Sequence, residues 1–133
     1  MSTQNAEHII LDSSALITIL AEEKGQEVII PLLPKAIMSS VNIAEVAKFL
    51  IESKGFSKNE VSTIVHSLIE KIIAFDTQLA LISAEIIHIT KRFGLSLGDR
   101  ACLALAMQLN YPIYTADKIW SKLDLDCKVI LIR

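Results

Sequence analysis

Four acidic residues stand where predicted strands end or predicted helices begin. Asp12 follows the first apolar strand and Asp117 follows the fourth, while Glu45 lies in the first turn of the helix after the second strand. Asp99 opens a strongly apolar helix that leads into the fourth strand. In an open parallel sheet, strand carboxyl ends and the helix N-termini after them lie along one edge. The first three acids therefore belong to one edge, and Asp99 joins them if its helix points its N-terminus at the same crevice.

Each acid also has an ordinary structural explanation. Asp12 and Asp117 suit the N-cap position of a helix, worth about 1 kcal/mol, while Asn42–Glu45 and Ser96–Asp99 match the capping-box pattern. Two carboxylates about 5 Å apart repel by roughly 3 kcal/mol at an effective dielectric near 20, which exceeds the gain from one cap. Converging acids are therefore unfavourable unless a divalent cation neutralises them. Oxygen ligands without His or Cys suit Mg²⁺ or Mn²⁺ rather than zinc, and such ions commonly serve phosphoryl chemistry.

Short apolar runs alternate with helical patterns along the chain. Strands are predicted over residues 8–11, 36–39, 72–75, 113–115 and 129–132. Helices are predicted over 15–22, from Asn42 to the stop at Gly55, over 57–70, from Asp76 to Lys91 or Arg92 and over 99–109, with short helices before Pro34 and around Trp120. This alternation is typical of an α/β fold whose parallel sheet is covered on both faces.

Composition limits the possible classes of protein. The 133 residues suit one domain, and we expect a flexible tail over residues 1–7 and a folded domain over 8–133. The hydrophobic fraction of 52% is high, which indicates that some apolar surface faces a partner, and the net charge of −2 neither favours nor excludes nucleic acid. Two distant cysteines, no signal-peptide pattern and no membrane-length apolar segment predict a reducing cytoplasm. Cys102 and Trp120 are predicted core residues.

Four segments resemble, in their order along the chain, PIN-domain ribonucleases, specifically the VapC-like toxin of a type II toxin–antitoxin system. The segments are residues 11–16 (LDSSAL), 42–46 (NIAEV), 95–101 (LSLGDRA) and 115–120 (TADKIW). Each motif is short, but the ordered set is fairly specific, and the similarity runs from about Ile9 to the C-terminus.

The resemblance implies an α/β fold of a particular kind, a three-layer α/β/α sandwich with a central parallel sheet of four to five short strands. It implies an acidic site for Mg²⁺ or Mn²⁺, made of Asp12, Glu45, Asp99 and Asp117. At such a site an activated water cleaves RNA phosphodiester bonds endonucleolytically. Ser14 and Thr115 match polar positions beside the acids. Arg100, Lys118 and Lys122 lie near the proposed groove and are candidates to contact RNA phosphates, with solvated surface charges or salt bridges as the alternative. A homodimer and an inhibitory cognate antitoxin are further implications.

Two other classes of protein place an Asp after a strand. Haloacid-dehalogenase-like phosphatases carry a second Asp two residues after the first, where this chain has Ser14. Receiver-type signalling modules need paired acids near the first strand and a Lys on a late strand, a pattern that this chain lacks. A PIN fold that binds RNA or protein without cutting it stays open. The RNA target, the number of metal ions and the face used for dimerisation also stay open.

Overall fold

A sheet of five parallel strands forms the centre of the protein, in a computed structural model that describes residues 7–133. The strands are β1 Ile9–Leu11, β2 Ala36–Ser39, β3 Lys71–Ile73, β4 Ile113–Thr115 and β5 Val129–Leu131. Their spatial order is β3, β2, β1, β4, β5, and every neighbouring pair is parallel. The strand order reverses between β1 and β4, which is where a parallel sheet opens a crevice at its carboxyl edge. Residues 1–6 of the predicted tail lie outside the described residues.

Seven α-helices connect these strands within residues 7–133. They are α1 Ser13–Leu20, α2 Gln26–Ile29, α3 Ser40–Lys54, α4 Lys58–Leu68, α5 Thr77–Glu85, α6 Ile87–Thr90 and α7 Leu97–Leu109. Short 3₁₀ turns occupy Ile30–Lys35, Lys91–Phe93 and Lys118–Lys122. No helix of the described chain is both long enough and apolar enough to cross a membrane.

Alternate residues along the strands face two separate cores, as the pleat of a sheet requires. Ile9 and Leu11 pack with residues of α1, α3 and α4 on one face. Ile10 and Ile113 pack with residues of α5 and α7 on the other. This arrangement confirms the predicted three-layer α/β/α sandwich with a parallel sheet of five strands. Its most deeply buried helix is α7, in which every residue from Ala101 to Ala106 is buried.

The predicted long helix after Asp76 is wrong in its extent. Asp76 does cap α5, since its side chain accepts a hydrogen bond from the backbone N–H of Leu79 at 3.0 Å. The helix then breaks at Ile86, whose ψ of 8° leaves the helical range. The Ile86 carbonyl accepts both the N–H of Thr90 at 3.1 Å and the Thr90 hydroxyl at 2.9 Å. Back-bonding of this kind bends helices, and apolar periodicity alone does not reveal it.

The start of α3 also differs from the prediction. The N-cap is Ser39, whose side chain accepts a hydrogen bond from the N–H of Val41 at 3.2 Å, so the helix begins before Asn42. Asn42 is therefore a buried residue inside the first turn of the helix, and it does not cap. The predicted capping box between Ser96 and Asp99 is confirmed, and it starts α7 at Leu97, two residues earlier than expected.

The predicted core positions are confirmed. Trp120 is 1% exposed and Cys102 is 0% exposed, and both belong to the core on the α5 and α7 face of the sheet. Burial raises the pKa of the Cys102 thiol well above its usual range, so this cysteine is a small apolar side chain in the native protein.

Candidate functional site

Asp12 ends β1 and occupies the N-cap of α1, and only 3% of its surface is exposed. Its Oδ1 accepts the N–H of Ala15 at 2.9 Å. The Ser14 hydroxyl contacts both carboxylate oxygens, at 2.8 and 2.9 Å, and the Thr115 hydroxyl donates to Oδ2 at 2.6 Å. Burial raises the pKa of Asp12 to about 6, and these hydrogen bonds only partly offset that effect. Burial makes the charged form of this carboxylate unfavourable. Carboxylates with raised pKa values of this kind are typical of functional sites.

The same two hydroxyl groups connect Asp12 to Asp117. Thr115 Oγ1 accepts the N–H of Asp117 at 3.0 Å, and Ser14 Oγ accepts the N–H of Ala116 at 3.0 Å. Asp117 is exposed and caps the 3₁₀ turn at Lys118–Lys122. Each hydroxyl therefore accepts from the turn after β4 and donates to the acid after β1, which places the two acids on adjacent strands at one edge of the sheet.

Glu45 reaches the site from α3. Its Oε1 accepts hydrogen bonds from Ser13 Oγ at 2.8 Å and from Asn42 Nδ2 at 3.0 Å. The same Asn42 nitrogen donates to the Gly98 carbonyl at 3.1 Å. Glu45 is thereby attached to α1 through Ser13 and to the first turn of α7 through Asn42.

Asp99 approaches from the third position of α7. Its Oδ2 accepts the N–H of Ser96 at 2.9 Å, which is half of the capping box. Burial raises the pKa of Asp99 first, and the negative charges of Glu45 and Asp117 raise it further. The charge of Asp99 also contributes to the raised pKa of Asp12. The structure thus brings all four predicted acids together, and α7 does point its N-terminus at the crevice.

Carboxylate oxygens that accept no hydrogen bond are the ones available to bind a cation at this site. Among the described residues, Glu45 Oε2, Asp99 Oδ1 and Asp117 Oδ2 accept no hydrogen bond, while the other oxygen of each carboxylate does. Hard oxygen donors of this kind suit Mg²⁺ or Mn²⁺. As the side chains stand, no three His, Cys, Asp or Glu residues within 7–133 are arranged so that they could hold a metal ion together. The donor chemistry fits a hard divalent ion.

Other predicted residues lie around this cluster. Arg100 Nη1 donates to the Leu95 carbonyl at 3.2 Å, and its buried Nε has no hydrogen-bond partner among the described residues. Lys118 and Lys122 are exposed on the turn after Asp117. None of these contacts tests a role in RNA binding, which stays a prediction.

Sequence reasoning missed three residues that surround Glu45, namely Ser13, Asn42 and Gly98. Asn42 was assigned to a cap because Asn and Glu stand three residues apart, which is also the spacing of neighbours on one helix face. Gly98 precedes the predicted helix over 99–109, although it lies inside α7. Asn42 is a neighbour of Glu45 on one face of α3, whereas the packing of α1 and α7 against α3 brings Ser13 and Gly98 to the carboxylate.

Fold and site together define an α/β/α protein with carboxylates gathered at the switch point of a parallel sheet. Residues 9–125 match the model of the PIN domain, and the chain belongs to that family. This membership goes against the phosphatase and receiver alternatives. No curated protein sequence gives a significant match.

Solved structures have the same fold at low sequence identity. DNA-bound VapBC from Salmonella typhimurium is 16% identical with a TM-score of 0.71, over 96% of this chain and 99% of that chain. A toxin–antitoxin complex from Klebsiella pneumoniae is 16% identical with a TM-score of 0.72, over 94% and 98%. VapC20 from Mycobacterium tuberculosis, a toxin that cleaves the sarcin–ricin loop, is 14% identical with a TM-score of 0.71, over 86% and 93%.

Proposed function

We propose that this protein is a metal-dependent endoribonuclease, the toxin of a toxin–antitoxin pair. The observation that carries the proposal is the gathering of Asp12, Glu45, Asp99 and Asp117, three of which keep an oxygen without a hydrogen bond. Membership of the PIN domain family and structural similarity to VapC20, a toxin that cleaves the sarcin–ricin loop, support the same reaction class.

Each acid has a proposed role in holding Mg²⁺ or Mn²⁺. Glu45, Asp99 and Asp117 offer their free oxygens, and Asp117 is the exposed member of the set. Asp12 is the buried member, and Ser14 and Thr115 orient both of its oxygens. When bound, a divalent ion lowers the pKa of a water molecule and stabilises charge on phosphate oxygens.

The reaction is attack of water on an RNA phosphodiester. Preorganised charge is the main contribution of the protein to such chemistry, and here the hydrogen bonds to Asp12, Glu45 and Asp99 fix the carboxylates before substrate arrives. Arg100, Lys118 and Lys122 are candidates to contact RNA phosphates.

We propose an antitoxin protein and a second copy of this chain as partners. Toxin–antitoxin complexes among the similar structures support the first. Exposed apolar side chains support a protein interface of either kind, and they include Ile51 at 48%, Leu81 at 64% and Leu97 at 51% exposure. The cytoplasmic location and the single domain over residues 8–133 stay predictions from the sequence.

Expression of the wild type beside Asp99→Asn in bacterial cells tests the function. We expect growth arrest and discrete RNA cuts, mapped by sequencing the cleaved ends, from the wild type alone. Asp76→Asn is the matched control, because Asp76 also caps a helix after a strand but lies outside the cluster. The purified wild type should cleave RNA with Mg²⁺ or Mn²⁺ and lose cleavage in EDTA.

Two results would contradict the proposal. Equal cleavage by Asp99→Asn and wild type would remove the acidic cluster from the reaction. Metal binding by the wild type without cleavage of any RNA tested would favour the alternative, a PIN fold that binds RNA or protein without cutting it.

A further inference from the structure

The Glu45 carboxylate lies against the bare backbone of Gly98. A Cβ atom built on Gly98 would meet Glu45 Oε2 first and would stand 2.7 Å from Cδ and 2.8 Å from Oε1, closer than real Cβ atoms approach other atoms. Gly25, Gly55 and Gly94 have positive φ angles, whereas Gly98 does not. Backbone conformation therefore gives no reason for a glycine at position 98, and the space taken by Glu45 does.

Asn42 connects the same two groups. It is 1% exposed, and its Nδ2 donates to Glu45 Oε1 at 3.0 Å and to the Gly98 carbonyl at 3.1 Å. Its Oδ1 is buried and has no hydrogen-bond partner among the described residues. A buried acceptor without a partner is destabilising, so burial of a whole amide here is poorly explained by stability. The two hydrogen bonds donated by Nδ2 explain it better.

These contacts use only one oxygen of the Glu45 carboxylate. Ser13 and Asn42 both donate to Oε1, whereas Oε2 accepts no hydrogen bond within the described chain. The carboxylate is thus held through Oε1, while Oε2, which lies against Gly98, accepts no hydrogen bond within the described chain. Because Gly98 precedes Asp99, the contact also sets how closely Glu45 approaches the next acid.

We propose that Gly98 and Asn42 are positioning residues that hold Glu45 in the acidic cluster. Gly98 provides the space, and Asn42 ties the carboxylate to the first turn of α7. As a statement about metal binding, the inference rests on the proposed function. As a statement about what places Glu45, it can be tested in the metal-free protein.

The first test is Gly98→Ala. The atoms that the new methyl group meets belong to the end of a flexible side chain, so we expect a folded protein in which Glu45 has moved out of place. Loss of a residue that orients a metal ligand weakens metal binding by about 10- to 100-fold. Mn²⁺ titration calorimetry should therefore show at least a roughly tenfold weaker affinity. In a Glu45→Ala background, the same change should weaken the affinity no further.

The second test is Asn42→Leu, which keeps the approximate size of the side chain and removes both donors. We expect the same pattern, a weaker Mn²⁺ affinity in the wild-type background and no further loss in Glu45→Ala. Asn59→Ala is the matched control, because Asn59 is an exposed amide in the first turn of α4. It should leave Mn²⁺ affinity unchanged.

Losses that are equal in the two backgrounds would overturn the proposal, because the residues would then act independently of Glu45. Unchanged affinity in Gly98→Ala, where Glu45→Ala weakens it, would overturn it as well.

A wild type that binds no Mn²⁺ would instead contradict the metal dependence of the proposed function. Thermal unfolding in EDTA then decides the inference. Ala is a better helix former than Gly, so Gly98→Ala should raise Tm in the Glu45→Ala background. In the wild-type background the gain should be smaller by about 3–5 °C, because the methyl group displaces hydrogen-bonded Glu45. Equal Tm shifts in the two backgrounds would mean that Glu45 does not need the space left by the missing side chain of Gly98.

Discussion

Replacing Asp12 by Asn should stabilise the metal-free protein at neutral pH. The pKa of Asp12 is raised from 3.8 to about 6, mainly by burial. A raised pKa means that the folded state binds the proton more tightly than the unfolded state. Folding is therefore penalised as the pH rises from about 4 to about 6, and the full penalty applies above that range.

The size of the effect follows from the two pKa values. One pKa unit is worth about 1.4 kcal/mol, so the penalty at pH 7.5 is about 3 kcal/mol, and at pH 4 it falls below about 1 kcal/mol. Asn removes the charge but offers one acceptor fewer to Ser14 and Thr115, a loss of about 1 kcal/mol. The expected net gain in the free energy of unfolding at pH 7.5 is about 2 kcal/mol, or roughly 6–10 °C in Tm for a domain of this size.

Thermal and urea unfolding in EDTA at pH 7.5 and pH 4 measure this effect. Asp76→Asn is the control, because Asp76 occupies the same kind of N-cap after β3 but is exposed. Asn caps a helix about as well as Asp, so this variant should differ little from the wild type at either pH. Added Mn²⁺ should reverse the order, since only the wild type keeps the full set of acids and ligand binding stabilises the native state.

A stability difference between Asp12→Asn and wild type that is the same at pH 7.5 and pH 4 would refute this reasoning. It would mean that burial does not shift the protonation of Asp12, and that the substitution acts through packing or hydrogen bonds alone.

Three further predictions concern other parts of the fold. Thr115→Val removes the donor to Asp12 and should lower the free energy of unfolding at pH 7.5 by about 1–3 kcal/mol. Thr115→Ser, measured in the same urea titration, should keep most of the wild-type free energy of unfolding. Ser57→Ala breaks the capping box of α4 and should lower stability by about 1 kcal/mol without changing RNA cleavage. Cys102 should resist thiol reagents in the native protein, since burial raises its pKa. Cys127, half-buried with a raised pKa, should react slowly, and both should react fully in guanidinium.

The apolar pattern of the chain predicts most of the secondary structure. Runs such as residues 36–39 and 113–115 are strands in the structure, because a strand buried on both faces needs continuous apolar residues. The end of α5 at Ile86 was not predictable in this way, since Ile82, Ile86 and Ile89 continue the helical spacing of apolar residues across the break.

The acidic cluster is predictable for a topological reason. Strands in a parallel sheet end at one edge, so acids that follow adjacent strands are neighbours. Asp12 and Asp117 follow the adjacent strands β1 and β4 and are linked through Thr115. The sequence left the position of Asp99 conditional on the direction of α7. That direction results from packing of the apolar surface of α7 against α5 and the sheet.

The order of residue types along the chain thus determined by itself the layers of this protein and the sheet edge where its acids meet. Tertiary structure alone decided how far Asp12 is removed from water, and that Glu45 rests on Gly98 under the amide of Asn42. The physical reason is the separation along the chain over which each effect acts. Periodicity and caps depend on neighbours a few residues apart, whereas desolvation and steric fit depend on atoms that packing brings together from distant segments.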